Sequence, residues 1–159
     1  MMLIRLVPLV ATLTVCCGYS TRSLLPSHLR TIGFEPVENL TLQPELTDLL
    51  SDGLREGFAH DRSLRVTTLE GADVVLRVQL VSYSKEADAY TGDQRISSYR
   101  LSAAAALSAQ DKVRGEALYS GSVSAQFPFN PDAATDEAAS DSLMTKLAKE
   151  AVRVLLLAW

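Results

Sequence analysis

The stretch ADVVLRVQLVSY, residues 72–83, decides the fold. Its apolar side chains recur at every second position from 74 to 80, which is the period of a β-strand with one buried face. The same period returns in YRLSAAAALS, residues 99–108, and again in residues 117–127, after a turn at residues 111–115. The sequence therefore predicts three long strands in an antiparallel meander, with a polar break at residues 85–95 between the first two.

Two shorter strands and two helices are predicted around this meander. Residues 31–39 indicate an opening strand at or near a sheet edge, because Pro36 cannot donate to a ladder, and residues 64–68 indicate another strand. A first helix begins near Pro44, and a last helix spans residues 135–158. Their apolar stripes are Leu46, Leu49, Leu50, Leu54 and Phe58 in the first and Leu143, Leu147, Ala151, Val154 and Leu155 in the second. Gly53 and Gly57 lie on the first stripe, where they permit close approach to a sheet.

The order of these elements is β-α-β-β-β-β-α. It predicts an α+β fold: a two-layer sandwich with two helices packed on one face of a mixed, mostly antiparallel sheet of four to five strands. The chain has 159 residues, of which 47% are apolar, so residues 31–159 are expected to form one domain. A net charge of -4 gives no overall basic excess, which disfavours broad nucleic-acid binding.

The N-terminal residues are predicted to be an export signal. Residues 6–15 are an apolar segment of signal-peptide length, and both cysteines of the chain, Cys16 and Cys17, follow it directly. We interpret residues 1–16 as a lipoprotein signal peptide and residues 17–30 as a lipidated tether. Cys17 is the predicted acylated residue, with Cys16 as the alternative, and an ordinary secretory signal with incidental cysteines is the simpler interpretation.

Sequence motifs of catalysis are missing. The chain has no H-E-x-x-H, no G-x-S-x-G and no phosphate-binding glycine loop, and its two histidines stand alone. We therefore predict that the protein is not an enzyme and that it has no cofactor and no metal site.

Two groups of residues are candidate contact sites. Ser102, Ser120, Ser122 and Ser124 fall on the sheet face away from the helices, where small uncharged side chains are typical of a surface covered by a partner; the alternative is a plain solvated sheet. Four basic residues in or beside the turns are candidates for contact with phosphates: Lys112, Arg114, Lys85 and Arg95. The alternative for these four is an ordinary solvated turn.

The sequence resembles the LptE-type lipopolysaccharide-assembly lipoproteins. The resemblance lies in an ordered series of short matches across most of residues 17–127. They are Cys17-Gly18-Tyr19, Leu25-Pro26, Thr31-Ile32, residues 37–41, Pro44-Glu45-Leu46, residues 54–58, residues 71–76, Ser82-Tyr83, Tyr90 and Tyr99-Arg100-Leu101. The irregular sequence around the cysteines and the Tyr-Ser after Gly18 depart from the family pattern.

This resemblance implies a function and partners. It implies an outer-membrane lipoprotein, lipid-anchored on the periplasmic side, that acts with an LptD-type β-barrel translocon in assembly and transport of lipopolysaccharide. Its implied roles are plug, assembly factor and lipopolysaccharide-contacting subunit. The alternative is an auxiliary lipoprotein of an envelope ABC-type lipid transport system, which would use the same export signal and a similar small domain.

Overall fold

The structure, a computed structural model, describes residues 26–158. Their elements are β1 (Thr31–Phe34), β2 (Glu38–Asn39), α1 (Leu46–Asp61), β3 (Arg65–Val66), β4 (Val74–Tyr90), β5 (Ile96–Asp111), β6 (Ala117–Phe129) and α2 (Asp136–Ala158). Neither helix is both long enough and apolar enough to cross a bilayer, among the residues described.

The six strands form one mixed sheet in the order β3-β1-β4-β5-β6, and β2 pairs with β4 beyond the end of β1. β1 is parallel to both β3 and β4, whereas β4, β5 and β6 form the predicted antiparallel meander. The α+β class and the two helices are confirmed, and the sheet has one strand more than the upper prediction. The extra strand arises because the predicted opening strand is interrupted around Pro36 and resumes as β2.

The predicted polar break at residues 85–95 is wrong. β4 continues to Tyr90 and β5 begins at Ile96, so only residues 91–95 form the turn, which is closed by the Thr91 amide donating to the Arg95 carbonyl at 2.8 Å. The extension passes beyond the helix layer and has no buried side, so its side chains carry no hydrophobic alternation. Cross-strand pairing of the backbone still holds it, with Glu86 opposite Arg100.

The core lies between the helices and one face of the sheet. Every second residue of β4 from 74 to 80 and of β5 from 101 to 109 is buried, as the alternation predicts. The buried stripes of the helices complete this core: Leu46, Leu50, Leu54 and Phe58 in α1, and Leu143, Leu147, Ala151 and Leu155 in α2. α2 packs over β5 and β6, and α1 packs beside it.

Gly53 and Gly57 bring α1 close to α2, not to the sheet as the sequence predicted. A Cβ atom added at Gly53 would lie 3.0 Å from the Ala148 Cβ, and one added at Gly57 would lie 2.9 Å from a Val152 methyl group. Both distances are shorter than an ordinary van der Waals contact. The order of the two contacts also shows that the helices run parallel.

Both helices therefore end on the side of the domain where the described chain begins. We call this end the base; it comprises residues 26–31, 58–73, 110–117 and 150–158. Residues 26–30, assigned to the tether in the sequence analysis, already contact the domain here. Leu29 is buried in the core, and the His28 Nε2 lies 2.7 Å from the Asp111 Oδ2. The opposite end, formed by the turn at residues 91–95, we call the tip.

Candidate functional site

The open face of the sheet is the side of β4, β5 and β6 away from the helices. The strand register arranges its centre in three rows of three residues: Gln79, Ala106 and Ser122; Ser82, Ala104 and Ser124; and Ser84, Ser102 and Gln126. Ser120 lies one row further towards the base, opposite Ser108. The structure thus brings the four serines predicted as partner contacts onto one continuous surface.

The centre of the open face has no charged residue at any of its nine positions. Charges stand at its margins: Arg77 donates to the Glu35 carboxylate at 2.8 Å, Arg100 pairs with Asp88, and the Glu38 carboxylate accepts a hydrogen bond from the Gln79 amide at 2.9 Å. The pKa of Arg77 is raised, chiefly by its hydrogen bond to Glu35 and also by the charge of that carboxylate. The open face therefore presents a flat surface of hydroxyl, methyl and amide groups that a second protein can cover without burying a charge.

β6 adds a feature that the sequence analysis missed. It is an outer strand of the sheet, and its 13 residues, ALYSGSVSAQFPF, include no charged residue. Edge strands usually carry charges that discourage further strand pairing. One backbone acceptor is capped, because Lys146 Nζ donates to the Gln126 carbonyl at 2.8 Å. The absence of charged residues from this segment is visible in the sequence, but only the strand order shows that β6 is an edge strand.

The turn between β5 and β6 is built around the buried Asp111 carboxylate. Its oxygens accept hydrogen bonds from the backbone amides of Val113 at 2.8 Å and Arg114 at 3.0 Å, as well as contacting His28. The hydrogen bond with His28 is the largest cause of the lowered pKa of Asp111, and the two amides lower this pKa further. The Asp111 carboxylate therefore holds both the turn between β5 and β6 and His28, near the start of the described chain.

Lys112 and Arg114 lie together in this turn at the base, and they differ in their contacts. The Lys112 Nζ donates to the carbonyls of Leu69 at 2.7 Å and Glu70 at 3.0 Å, which ties the turn to the loop before β4. The guanidinium of Arg114 has no hydrogen-bond or ion-pair partner among residues 26–158. Of the two, Arg114 is therefore the side chain that is free to bind a phosphate.

The other two basic candidates lie elsewhere. Lys85 is part of β4, where its Nζ is 2.6 Å from the Asp136 carboxylate and 4.2 Å from the centre of the Tyr99 ring. These contacts hold β4 against the start of α2, so Lys85 lies within a strand and does not flank the predicted polar break. Arg95 lies in the turn at the tip. The four basic residues therefore do not form one site.

The helix layer contains a groove of about 580 Å³ between the later halves of α1 and α2. Gly57, Val152 and Leu156 line it, with His60, Lys149 and Arg153 among its polar residues. Arg153 is engaged with Glu150, and this hydrogen bond lowers the pKa of the Glu150 carboxyl. Within the described ranges no group of His, Cys, Asp and Glu could hold a metal ion.

Sequence comparison identifies the family. The family model LptE, described as "Lipopolysaccharide-assembly", matches residues 29–158. The chain belongs to the LptE family. The resemblance noted in the sequence is thereby confirmed, and lipopolysaccharide assembly is the general function of this LptE-family protein. No curated protein sequence matches the chain.

Solved structures support the fold of this LptE-family domain. The hypothetical protein CT253 of Chlamydia trachomatis superposes with a TM-score of 0.61 at 11% identity, over 82% of this chain and 98% of that one. XCC0632 of Xanthomonas campestris, a DUF330 protein, superposes with a TM-score of 0.59 at 15% identity, over 80% of this chain and 84% of that one. The lipoprotein GNA1162 of Neisseria meningitidis superposes with a TM-score of 0.50 at 15% identity, over 79% of this chain and 97% of that one. At such low identities these similarities concern the fold alone.

Proposed function

We propose that this protein is an outer-membrane lipoprotein without enzymatic activity that serves as plug and assembly factor for a β-barrel translocon of lipopolysaccharide. Acylation of Cys17, or alternatively Cys16, would anchor it on the periplasmic side. Both cysteines lie outside the described residues, so the anchor is a prediction from the sequence. Family membership supports the general role, and the uncharged open face of the sheet supports the partner.

The open face is the observation that carries this proposal. A domain enclosed by a barrel must present to it a surface whose burial leaves no charge unpaired, since an isolated buried charge is strongly unfavourable. The nine central positions meet that condition, and the uncharged outer edge of β6 extends the same surface. The helix layer differs, because its outer side carries charged residues such as Asp52, Glu56 and Lys149.

Photocrosslinking in the intact envelope tests the partner. A photoreactive amino acid is placed at Ser122 on the open face or, as the matched control, at Ala138, which is exposed on α2. We expect the Ser122 position to yield an adduct with an outer-membrane β-barrel protein, and the Ala138 position to yield much less of it. Mass spectrometry identifies the adduct. A component of an inner-membrane transporter at Ser122 would instead establish the ABC-type alternative, and equal adducts at both positions would contradict a covered open face.

We also propose that Arg114, with Lys112 beside it, contacts the phosphates of lipopolysaccharide. Replacing Arg114 by alanine is expected to weaken lipopolysaccharide binding by the purified protein, with the larger loss at low salt, where surface charges are least screened. Arg55→Ala, at an exposed position of α1 outside the candidate set, is the matched control and removes the same charge. Binding measured across a salt series, with circular dichroism as a check on folding, gives the comparison. Equal losses in both variants would indicate a general charge effect and no site at the turn.

A further inference from the structure

The base of the domain lies close to the predicted anchor. Eight residues separate Cys17 from Pro26, so even a fully extended connection spans only about 30 Å. Pro26 is held at the base, because its carbonyl accepts the amide of Leu29 and His28 contacts Asp111. If Cys17 carries the lipid, the base is the part of the domain that stays within reach of the membrane surface.

The turn between β5 and β6 projects an apolar residue at this end. Val113 is 67% exposed and stands between Lys112 and Arg114. Leu157, near the end of α2, is 73% exposed at the same end. An exposed apolar side chain flanked by cations matches the interface of an anionic bilayer, where phosphates lie directly above the acyl chains.

Charge is distributed unevenly between the base and the rest of the domain. The base carries six basic and six acidic residues, and four of the acidic ones are hydrogen-bonded within the domain: Asp61, Asp73, Asp111 and Glu150, the last to Arg153. The Asp73 carboxylate accepts the amides of Arg30 and Thr31, and the Arg30 amide is the largest cause of its lowered pKa. The remaining described residues carry seven basic against thirteen acidic residues. An anionic surface therefore repels the rest of the domain and favours an orientation with the base towards the membrane.

We propose that the base is a membrane-contacting surface: the turn at residues 111–115 rests on anionic phospholipid, with the Val113 side chain among the headgroups and the Arg114 guanidinium at the phosphates. This inference rests on the proposed lipid anchor. It adds a second attachment point, which fixes the orientation of the domain on the bilayer. Before a barrel encloses the domain, a lipid chain alone leaves it free to rotate.

A fluorescent probe at single cysteines tests this contact. With Cys17 acylated as proposed and no cysteine among the described residues, Val113→Cys or Gly92→Cys supplies one reactive thiol for an environment-sensitive dye. Gly92 is the control at the tip, where an added Cβ meets nothing within 4 Å. The acylated proteins are reconstituted into vesicles of phosphatidylethanolamine and phosphatidylglycerol, with nitroxide-labelled lipid as the quencher.

We expect the dye at position 113 to shift its emission to shorter wavelength and to be quenched, while the dye at position 92 shows neither effect. Adding Arg114→Gln, or replacing the phosphatidylglycerol by phosphatidylcholine, should reduce the shift at position 113. Equal signals at both positions in vesicle-bound protein would overturn the proposal. So would a shift that appears only when the vesicles contain lipopolysaccharide. Failure of the anchor itself is distinguishable, since protein without a lipid would not float with the vesicles at all.

Discussion

Replacing Ser122 by arginine is expected to reduce recovery of the barrel partner by at least about tenfold, which corresponds to about 1.4 kcal/mol of binding free energy. The arginine would put a charge at the centre of the open face, where the register places Ala106 beside it. Burying that charge without a partner costs several kcal/mol, so a covered face cannot accept it. The isolated domain should keep its melting temperature, because Ser122 is exposed and surface substitutions stay within about 0.5 kcal/mol.

Two variants complete this comparison. Ala138→Arg adds the same side chain to the helix layer, and Ser122→Thr enlarges the open face without adding a charge. Both should retain the partner when the protein is purified from detergent-solubilised envelopes. Full recovery of the partner by Ser122→Arg would show that water, and not a partner, covers this part of the sheet.

Replacing Gly53 by valine is expected to lower the free energy of unfolding by about 2 kcal/mol, within the range for overpacked cores. A Cβ at this position already lies 3.0 Å from the Ala148 Cβ, and valine adds two further methyl groups towards α2. The helices must then separate, which disturbs the packing of Leu147 and Ala151 beneath them. Urea denaturation monitored by circular dichroism measures the loss.

Gly92→Val is the control for the Gly53 substitution. It makes the same chemical change at the tip, where an added Cβ has open space, and should leave stability nearly unchanged. Removing the opposing methyl group with Ala148→Gly should recover part of the loss in Gly53→Val. If the loss of unfolding free energy in the double variant equals the sum of the losses in the two single variants, the contact between these positions is not the cause.

The sheet and helices were predictable because their buried faces impose a period on the sequence. Alternation identified β4, β5 and β6 wherever one side packs against the helices, and the 3.6-residue stripe identified both helices. The extension of β4 and β5 to the tip was not predictable in this way, because a hairpin exposed on both sides imposes no hydrophobic pattern. The role of Gly53 was also hidden, because a glycine does not indicate whether a helix or a sheet approaches it.

The candidate contact sites also differ in how far the sequence could predict them. Ser102, Ser120, Ser122 and Ser124 could be assigned to one face because side chains in a strand alternate strictly between faces. The basic residues could not be grouped, because their relative positions depend on strand lengths and on pairing between distant segments. Lys85 shows this clearly, since its ion pair with Asp136 joins residues 51 positions apart.

The position of β1 within the sheet also determines when the domain can finish folding. β1 lies between β3 and β4, and both of its neighbours come later in the chain. Its hydrogen bonds join residues about 42 positions apart, as between Thr31 and Asp73. Synthesis proceeds from the N-terminus, so β1 emerges first and waits for β4, and α1 waits for α2, whereas β4, β5 and β6 pair with immediate neighbours as they appear. Contacts between distant positions form slowly, so β1 and α1 stay without their partners for longer after they emerge than the strands of the meander do, and they are the part most exposed to aggregation before then.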